Sequence, residues 1–280
     1  MDINKINEII DSYSALRENF EIQKSFLELK SAYSDFIIEQ PILEIDDGKI
    51  TRIIWWCWLQ GIEHAPDICK ASLSSIKKFY PDCKIIILDN YNINDYIELP
   101  LYIKEKYAQG KITHAHYTDI VRTFLLCKYG GVWIDSTVYC TEHDEVIFEE
   151  NMFAYKHIWR GVYGIPASSW LLSACPRHPI LMLTRDLLCS YWRCNDELYH
   201  YFMFHMFLLL SAEKYAEIWN NIPLYSNVPP HMLQFELGKT FSEKRFAQIK
   251  KMSSFHKLTY RVSNDVYESG TFYNYLIGNI

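Results

Sequence analysis

The chain has 280 residues, 49% of them hydrophobic and 16% aromatic, and its 28 basic and 34 acidic side chains leave a formal charge of -6. That length and composition bury a substantial core and exclude a disordered chain, and the acidic balance lacks the basic footprint of a general nucleic-acid binder. The 21 tyrosines and 8 tryptophans offer flat apolar faces with a polar edge, which suit sugar and nucleobase pockets as well as a core.

Eight cysteines (57, 69, 83, 127, 140, 175, 189 and 194) lie mostly in apolar runs, with no CxxC pair and no zinc-finger spacing. The opening "MDINKINEII" lacks the basic-then-apolar layout of a signal peptide. Together these features lead to the expectation of a reduced, cytoplasmic protein. The longest apolar run, "FMFHMFLLL", is about half of what a bilayer demands. Attachment at the inner face of the cell membrane stays open.

Residues 1 to about 40 carry apolar side chains at helical spacing (Ile6, Ile9, Ile10, Tyr13, then Phe20, Phe26, Leu27, Leu29) and predict one or two amphipathic helices. Such helices would suit a dimer contact or a lipid surface. Pro41 and "DDGK" then break the pattern, so residues 1–45 read as an N-terminal helical segment ahead of a domain over 46–280. "ITRIIWWCWLQG" predicts a buried strand, "APDICKASLSSIKKFYP" a helix and "CKIIILDN" a second strand. Strand, helix, strand in so short a span is a βαβ unit, which calls for a parallel sheet with helices on its faces.

"THAHYTDIVRTFLLCKYGG" predicts a helix capped by its glycine pair, and "VWIDSTVYC" a strand following at once. In open α/β sheets ligands bind beyond the carboxyl ends of strands. That rule sets Trp58 to Gln60, Asp89 and Asn90, and Asp135 along one rim. From about 150 to 240 the pattern turns largely helical: "SSWLLSACPRHPILMLTRDLLCSYWRC" and "ELYHYFMFHMFLLLSAEKYAEIW" both read as helices, and "SSFHKLTY" as a short strand.

Asp119 and Arg122 lie three apart and so share one helix face. They are charges in an otherwise apolar stretch, where each needs a partner. A structural salt bridge and a ligand clamp are both open at this point. Asp135, at the end of "GGVWI", projects where a hard cation or a diphosphate would sit, and Mg²⁺ or Mn²⁺ takes oxygen ligands from one or two carboxylates plus phosphates. A strand-end aspartate capping a turn is the bland alternative. His200 and His205 are five apart on an apolar helix, not the four of a helical metal pair, and read better as core histidines than as acceptor contacts. His114 and His116 precede the Asp119 helix.

Taken together, "IIWWCWLQG", "FYPDCKIIILD" and "AHYTDIVRTFLLCKYGGVWIDSTV" resemble the capsular polysaccharide synthesis glycosyltransferases. They are similar to the DxD-type sugar transferases of glycosyltransferase family 32 and, more distantly, to clostridial glucosylating toxins. The resemblance implies an α/β GT-A fold, an αβα sandwich with a mostly parallel sheet plus helical additions, with residues 150–240 on the acceptor side. It implies transfer of a hexose from a nucleotide diphosphate sugar, UDP-sugar by analogy, with retention, to a hydroxyl of a surface or capsular polysaccharide. The acceptor would be a saccharide or a lipid-linked saccharide.

By the same resemblance, Trp58 would stack on the nucleobase with Cys57 and Gln60 beside it. Asp119 and Arg122 would grip the donor sugar and diphosphate, and Trp133 would flank the donor. Asp135 would hold a divalent metal, with Thr137 and His256 as further ligands and Lys257 as a phosphate contact. Ser169, Trp170 and His205 would face the acceptor. One departure stands out: the second acid of the DxD motif is Thr137 here. It allows weaker metal binding, replacement by His256 or water, metal-independent transfer with Lys257 and Arg122 offsetting the phosphate charge, or a catalytically silent nucleotide- or carbohydrate-binding protein. A structural interaction domain whose aromatic clusters are all core is a further reading.

Overall fold

The computed structural model describes residues 3–45, 48–157, 164–262, 266 and 269–278. Helix α1 (Ile3–Glu39) precedes β1 (Ile53–Cys57), α2 (Asp67–Phe79) and β2 (Lys84–Leu88). Two short helices, α3 (Ile93–Tyr96) and α4 (Leu101–Ala108), lead to α5 (His114–Tyr129), β3 (Gly131–Ile134) and β4 (Val138–Cys140). Then come α6 (Val146–Glu149), β5 (Met152–Lys156), β6 (Ala167–Ala174), α7 (Pro179–Cys194), α8 (Met203–Lys214) and α9 (Ala216–Asn221). Helix α10 (Glu243–Lys250), β7 (Phe255–Lys257) and α11 (Phe272–Ile277) close the described chain.

Five strands form a sheet in the order β2-β1-β3-β6-β5, and β4 pairs with β7 in a second, two-stranded sheet. β1 is parallel to both β2 and β3, β6 runs antiparallel to β3, and β5 runs antiparallel to β6. Four strands therefore point one way and β6 alone is reversed: the sheet is mostly parallel, as expected. Strand alternation divides the apolar side chains between two cores. Trp55, Leu88, Trp133 and Leu172 face a core shared with α1, α5, α7 and α8. Ile54, Trp56, Val132 and Leu171 face another shared with α2, α10 and α11. Helices on both faces of such a sheet make an αβα sandwich.

The glycine pair of "KYGG" has a steric cause. Gly130 and Gly131 both have positive φ, and a Cβ on Gly131 would lie 2.5 Å from the Ile53 carbonyl oxygen. Gly130 ends α5 by donating its N–H to the Leu126 carbonyl, and β3 starts on the next residue. No side chain fits where the chain leaves the helix and enters the sheet beside β1.

One expectation is narrowed and three need correcting. The N-terminal pattern is a single helix, with Ile22, Phe26 and Leu29 buried on one stripe and Lys214 Nζ on the carbonyls of Ile37 and Gln40 at its end. The side chains of Ile6, Ile9 and Ile10 lie outside the described residues. "VWIDSTVYC" is two strands, because the chain turns at Asp135–Thr137 and β4 leaves for β7. The stretch expected to be helical from Ser168 begins instead as β6, which lies inside the sheet and is covered on both faces. It is therefore buried almost throughout, serines included, and shows no apolar–polar alternation. Finally, α8 begins at Met203, so His200 precedes the helix and its Nδ1 accepts from the Phe202 amide.

Candidate active site

Because β1 and β3 are parallel, their carboxyl ends open on the same edge, and a cleft of about 420 Å³ lies there. Cys57, Trp58 and Gln60 enter it from the end of β1, Asp119 and Arg122 from α5, and Trp133, Asp135 and Thr137 from β3 and its turn. Ser169 of β6, His205 of α8 and Lys257 of β7 complete the circle. The structure thus brings together residues separated by up to two hundred positions in the chain.

At its centre is a buried guanidinium. Arg122, whose side chain is 4% exposed, reaches Asp119 Oδ1 at 3.2 Å and Asp135 Oδ1 at 3.3 Å through Nη2. Its Nη1 donates to the Ser169 carbonyl, and its plane lies over the Trp133 ring at 4.9 Å. Only the planar fork of an arginine makes these contacts at once. Trp133 Nε1 donates to Asp135 Oδ1 at 2.8 Å. From the other side Lys257 Nζ donates to Asp135 Oδ2 at 3.1 Å and to Thr137 Oγ1 at 2.5 Å. Burial alone would raise the Asp135 carboxyl, but the charges of Lys257 and Arg122 and the hydrogen bonds from Trp133 and Lys257 outweigh it and hold the pKa below the usual range.

Around this centre the cleft is aromatic at one end and imidazole-rich at another. Trp58 meets Tyr260 edge-on at 5.3 Å, and its indole N–H is buried without a hydrogen-bond partner. The His116 ring packs beside Trp192, with Nδ1 3.6 Å from Asp119 Oδ2. Thr113 caps α5 by accepting from the His116 amide, so the positive end of that helix opens on the cleft. Burial pushes His205 down to about 4, which keeps its ring neutral, and its Nδ1 has no partner.

Two expected residues lie elsewhere, both for want of one position of strand phase. His256 and Lys257 are neighbours on β7 and project to opposite sides. His256 is fully buried, faces Thr141 Oγ1 at 3.1 Å and is not in the cleft. On β6, Ser169 faces the cleft while Trp170 points into the core and stacks on Tyr155 at 5.0 Å. Asp89 accepts from the amides of Tyr91 and Asn92, so it shapes a turn. Sequence reasoning missed His64, Leu198, Tyr201 and Tyr260 as lining residues. The signal for Tyr260 stood beside Lys257 in "FHKLTY"; Tyr201 and Leu198 carried none.

A divalent metal does not fit this arrangement. Asp135 has both oxygens engaged by cationic or N–H donors, Thr137 contributes a hydroxyl already held by Lys257, and His256 is out of reach. Among the described residues no group of three or more His, Cys, Asp or Glu side chains is arranged to hold a metal ion.

The fold is thus an αβα sandwich whose strand-end cleft gathers Asp119 and Arg122 of α5, Asp135 at the tip of β3 and Trp58 just beyond β1. The chain belongs to the capsular polysaccharide synthesis protein family, which it matches over residues 6–276. It is also 26% identical over 103 residues to the O-glycosyltransferase braB of Annulohypoxylon truncatum, a match over 34% of this chain and 24% of that one. The chain thus spans about a quarter of the length of that curated relative. Among solved structures it overlaps the PaToxG glycosyltransferase at 14% identity, covering 84% of this chain and 95% of that one, with a TM-score of 0.43. It overlaps the galactosyltransferase LgtC in complex with donor and acceptor sugar analogues at 10% identity, covering 81% and 96%, with a TM-score of 0.43.

Proposed function

We propose that the protein transfers a hexose from a nucleotide diphosphate sugar, a UDP-sugar, to a hydroxyl of a growing surface or capsular polysaccharide. The observation that carries this reading is the buried Arg122 held by Asp119 and Asp135 at the floor of a cleft that also presents Trp58. A guanidinium fixed by two carboxylates is a preorganised partner for charge that develops on a leaving diphosphate. In this reading Trp58 stacks on the base beside Cys57 and Gln60, and Asp119 takes the sugar hydroxyls. Arg122 and Lys257 meet the diphosphate while Trp133 flanks the donor. Ser169 and the neutral His205 face the saccharide or lipid-linked acceptor. Residues 46–280 carry the transferase domain, and 1–45 brace its helical side.

The step is a substitution at the anomeric carbon with retention. The bond from that carbon to the diphosphate oxygen breaks and its electron pair leaves with the nucleoside diphosphate. The acceptor hydroxyl oxygen forms the new glycosidic bond on the same face, and its proton passes to the departing phosphate oxygen. The residues supply positioning and countercharge and need no second acid. A cytoplasmic setting accords with eight free thiols; among the described residues no helix is long and apolar enough to cross a membrane.

The replacement of the second motif acid by Thr137 favours one rival, a silent nucleotide- or carbohydrate-binding protein. Release of nucleoside diphosphate from a panel of UDP- and GDP-hexoses, with saccharide acceptors added, separates the two. Turnover that is lost in Asp119→Asn supports the transferase. Binding without turnover of any donor supports the rival, and an inverted product anomer overturns the front-face step.

A further inference from the structure

We propose that the Lys257 ammonium takes the place of a divalent cation at the tip of β3, so that the nucleoside diphosphate is bound and released without a metal. This rests on the donor reading above and deepens it. Lys257 Nζ sits between Asp135 Oδ2 at 3.1 Å and Thr137 Oγ1 at 2.5 Å, bridging the two side chains a metal would have to join. The opposite oxygen of Asp135 already takes Arg122 and the Trp133 indole N–H. An added divalent ion would have to displace the ammonium or share one carboxylate with it and with a guanidinium close by, against like-charge repulsion in a partly buried site.

The exchange of acid for threonine and the presence of the lysine explain one another. A second carboxylate here would serve a doubly charged ion, whereas a single ammonium is balanced by one carboxylate and satisfied by a hydroxyl acceptor. Backbone geometry holds the arrangement in place. β7 pairs antiparallel with β4 so that Lys257 lies opposite Val138, and the Leu258 amide donates to the Thr137 carbonyl. Lysine and hydroxyl are therefore held together at the edge of the small sheet, while the acid is fixed at the tip of β3 by its amide on the Trp170 carbonyl. With Asp119 and Arg122 counted, the four charges sum to zero, so the diphosphate is met by two local cations and not by a net positive field.

The test is calorimetric titration of UDP and GDP into the full chain, in EDTA and again in Mn²⁺ or Mg²⁺. The expected result is UDP affinity unchanged within about twofold between these buffers, lowered at least about tenfold in Lys257→Met and largely restored in Lys257→Arg. Binding abolished by EDTA overturns the inference and leaves the donor reading standing. So does a folded Lys257→Met that binds as well as the parent. If Lys257→Met fails to fold, the comparison of buffers on the unaltered chain still decides. Binding of no nucleotide in any buffer overturns the donor reading itself.

Discussion

Lys257 and Arg122 hold the same carboxylate from opposite sides: Nζ lies 3.1 Å from Asp135 Oδ2, and Nη2 lies 3.3 Å from Oδ1. One cation arrives on β7 and the other on α5, so Asp135 ties the small sheet to the helix beneath the main one. Replacing it by Asn keeps the shape and removes the charge. Asp135→Asn is expected to lower transfer by at least about a hundredfold and to destabilise the fold by roughly 1–3 kcal/mol, because a buried guanidinium loses one of its two carboxylates. Turnover and urea midpoints measure the two effects separately, and a variant with normal transfer would refute the role assigned to the acid.

Arg122→Lys isolates geometry from charge. An ammonium can reach one carboxylate but not Asp119, Asp135 and the Ser169 carbonyl in one plane. The expected outcome is a folded protein with donor affinity weakened about tenfold or more, read by UDP titration; affinity equal to the parent would show that the fork is not needed.

Gly131→Ala tests the fold and not the site. The residue has φ of 95° and an added Cβ would stand 2.5 Å from the Ile53 oxygen. A loss of at least about 2 kcal/mol is expected from the backbone penalty plus the displaced β1–β3 pairing. An unchanged urea midpoint would contradict the close approach of the two strands.

Acid should destabilise the protein through its buried imidazoles. Burial pushes His178, His205 and His256 from the usual 6.5 down to about 4. Above about pH 6.5 these rings are neutral in both states and their contribution is complete. As pH falls below that, the unfolded chain takes up protons first, so stability declines towards about pH 4. The slope is up to about 1.4 kcal/mol per pH unit for each ring. His178→Gln should remove one ring's share of that slope, since burial also lowers His157, His200 and His231. Urea midpoints measured from about pH 7 down to about pH 5 check this, and parallel profiles for parent and variant would count against it.

Much of this was legible in the chain because local rules act locally. The β1–α2–β2 unit shows its period, and α5 followed by two glycines and β3 shows a helix stop joined to a strand. Helix spacing put Asp119 and Arg122 on one face and the strand-end rule put Asp135 at the rim; their gathering at one site was implied by the family resemblance. What was not legible depends on phase or on distance. β6 has no alternation because both faces are covered, and Ser169 against Trp170, or Lys257 against His256, is decided by a one-residue register that sequence does not display. The Lys257–Asp135 pair spans 122 residues and arises only once β4 leaves the main sheet for β7.

The most direct test of the account is a crystal structure of the protein with UDP or an unreactive UDP-hexose. The account predicts the diphosphate against Arg122 and Lys257, the base against Trp58 and the sugar beside Asp119. A nucleotide bound away from the Arg122–Asp135 pair, or one whose base turns from Trp58 towards the acceptor side at His205, would contradict it.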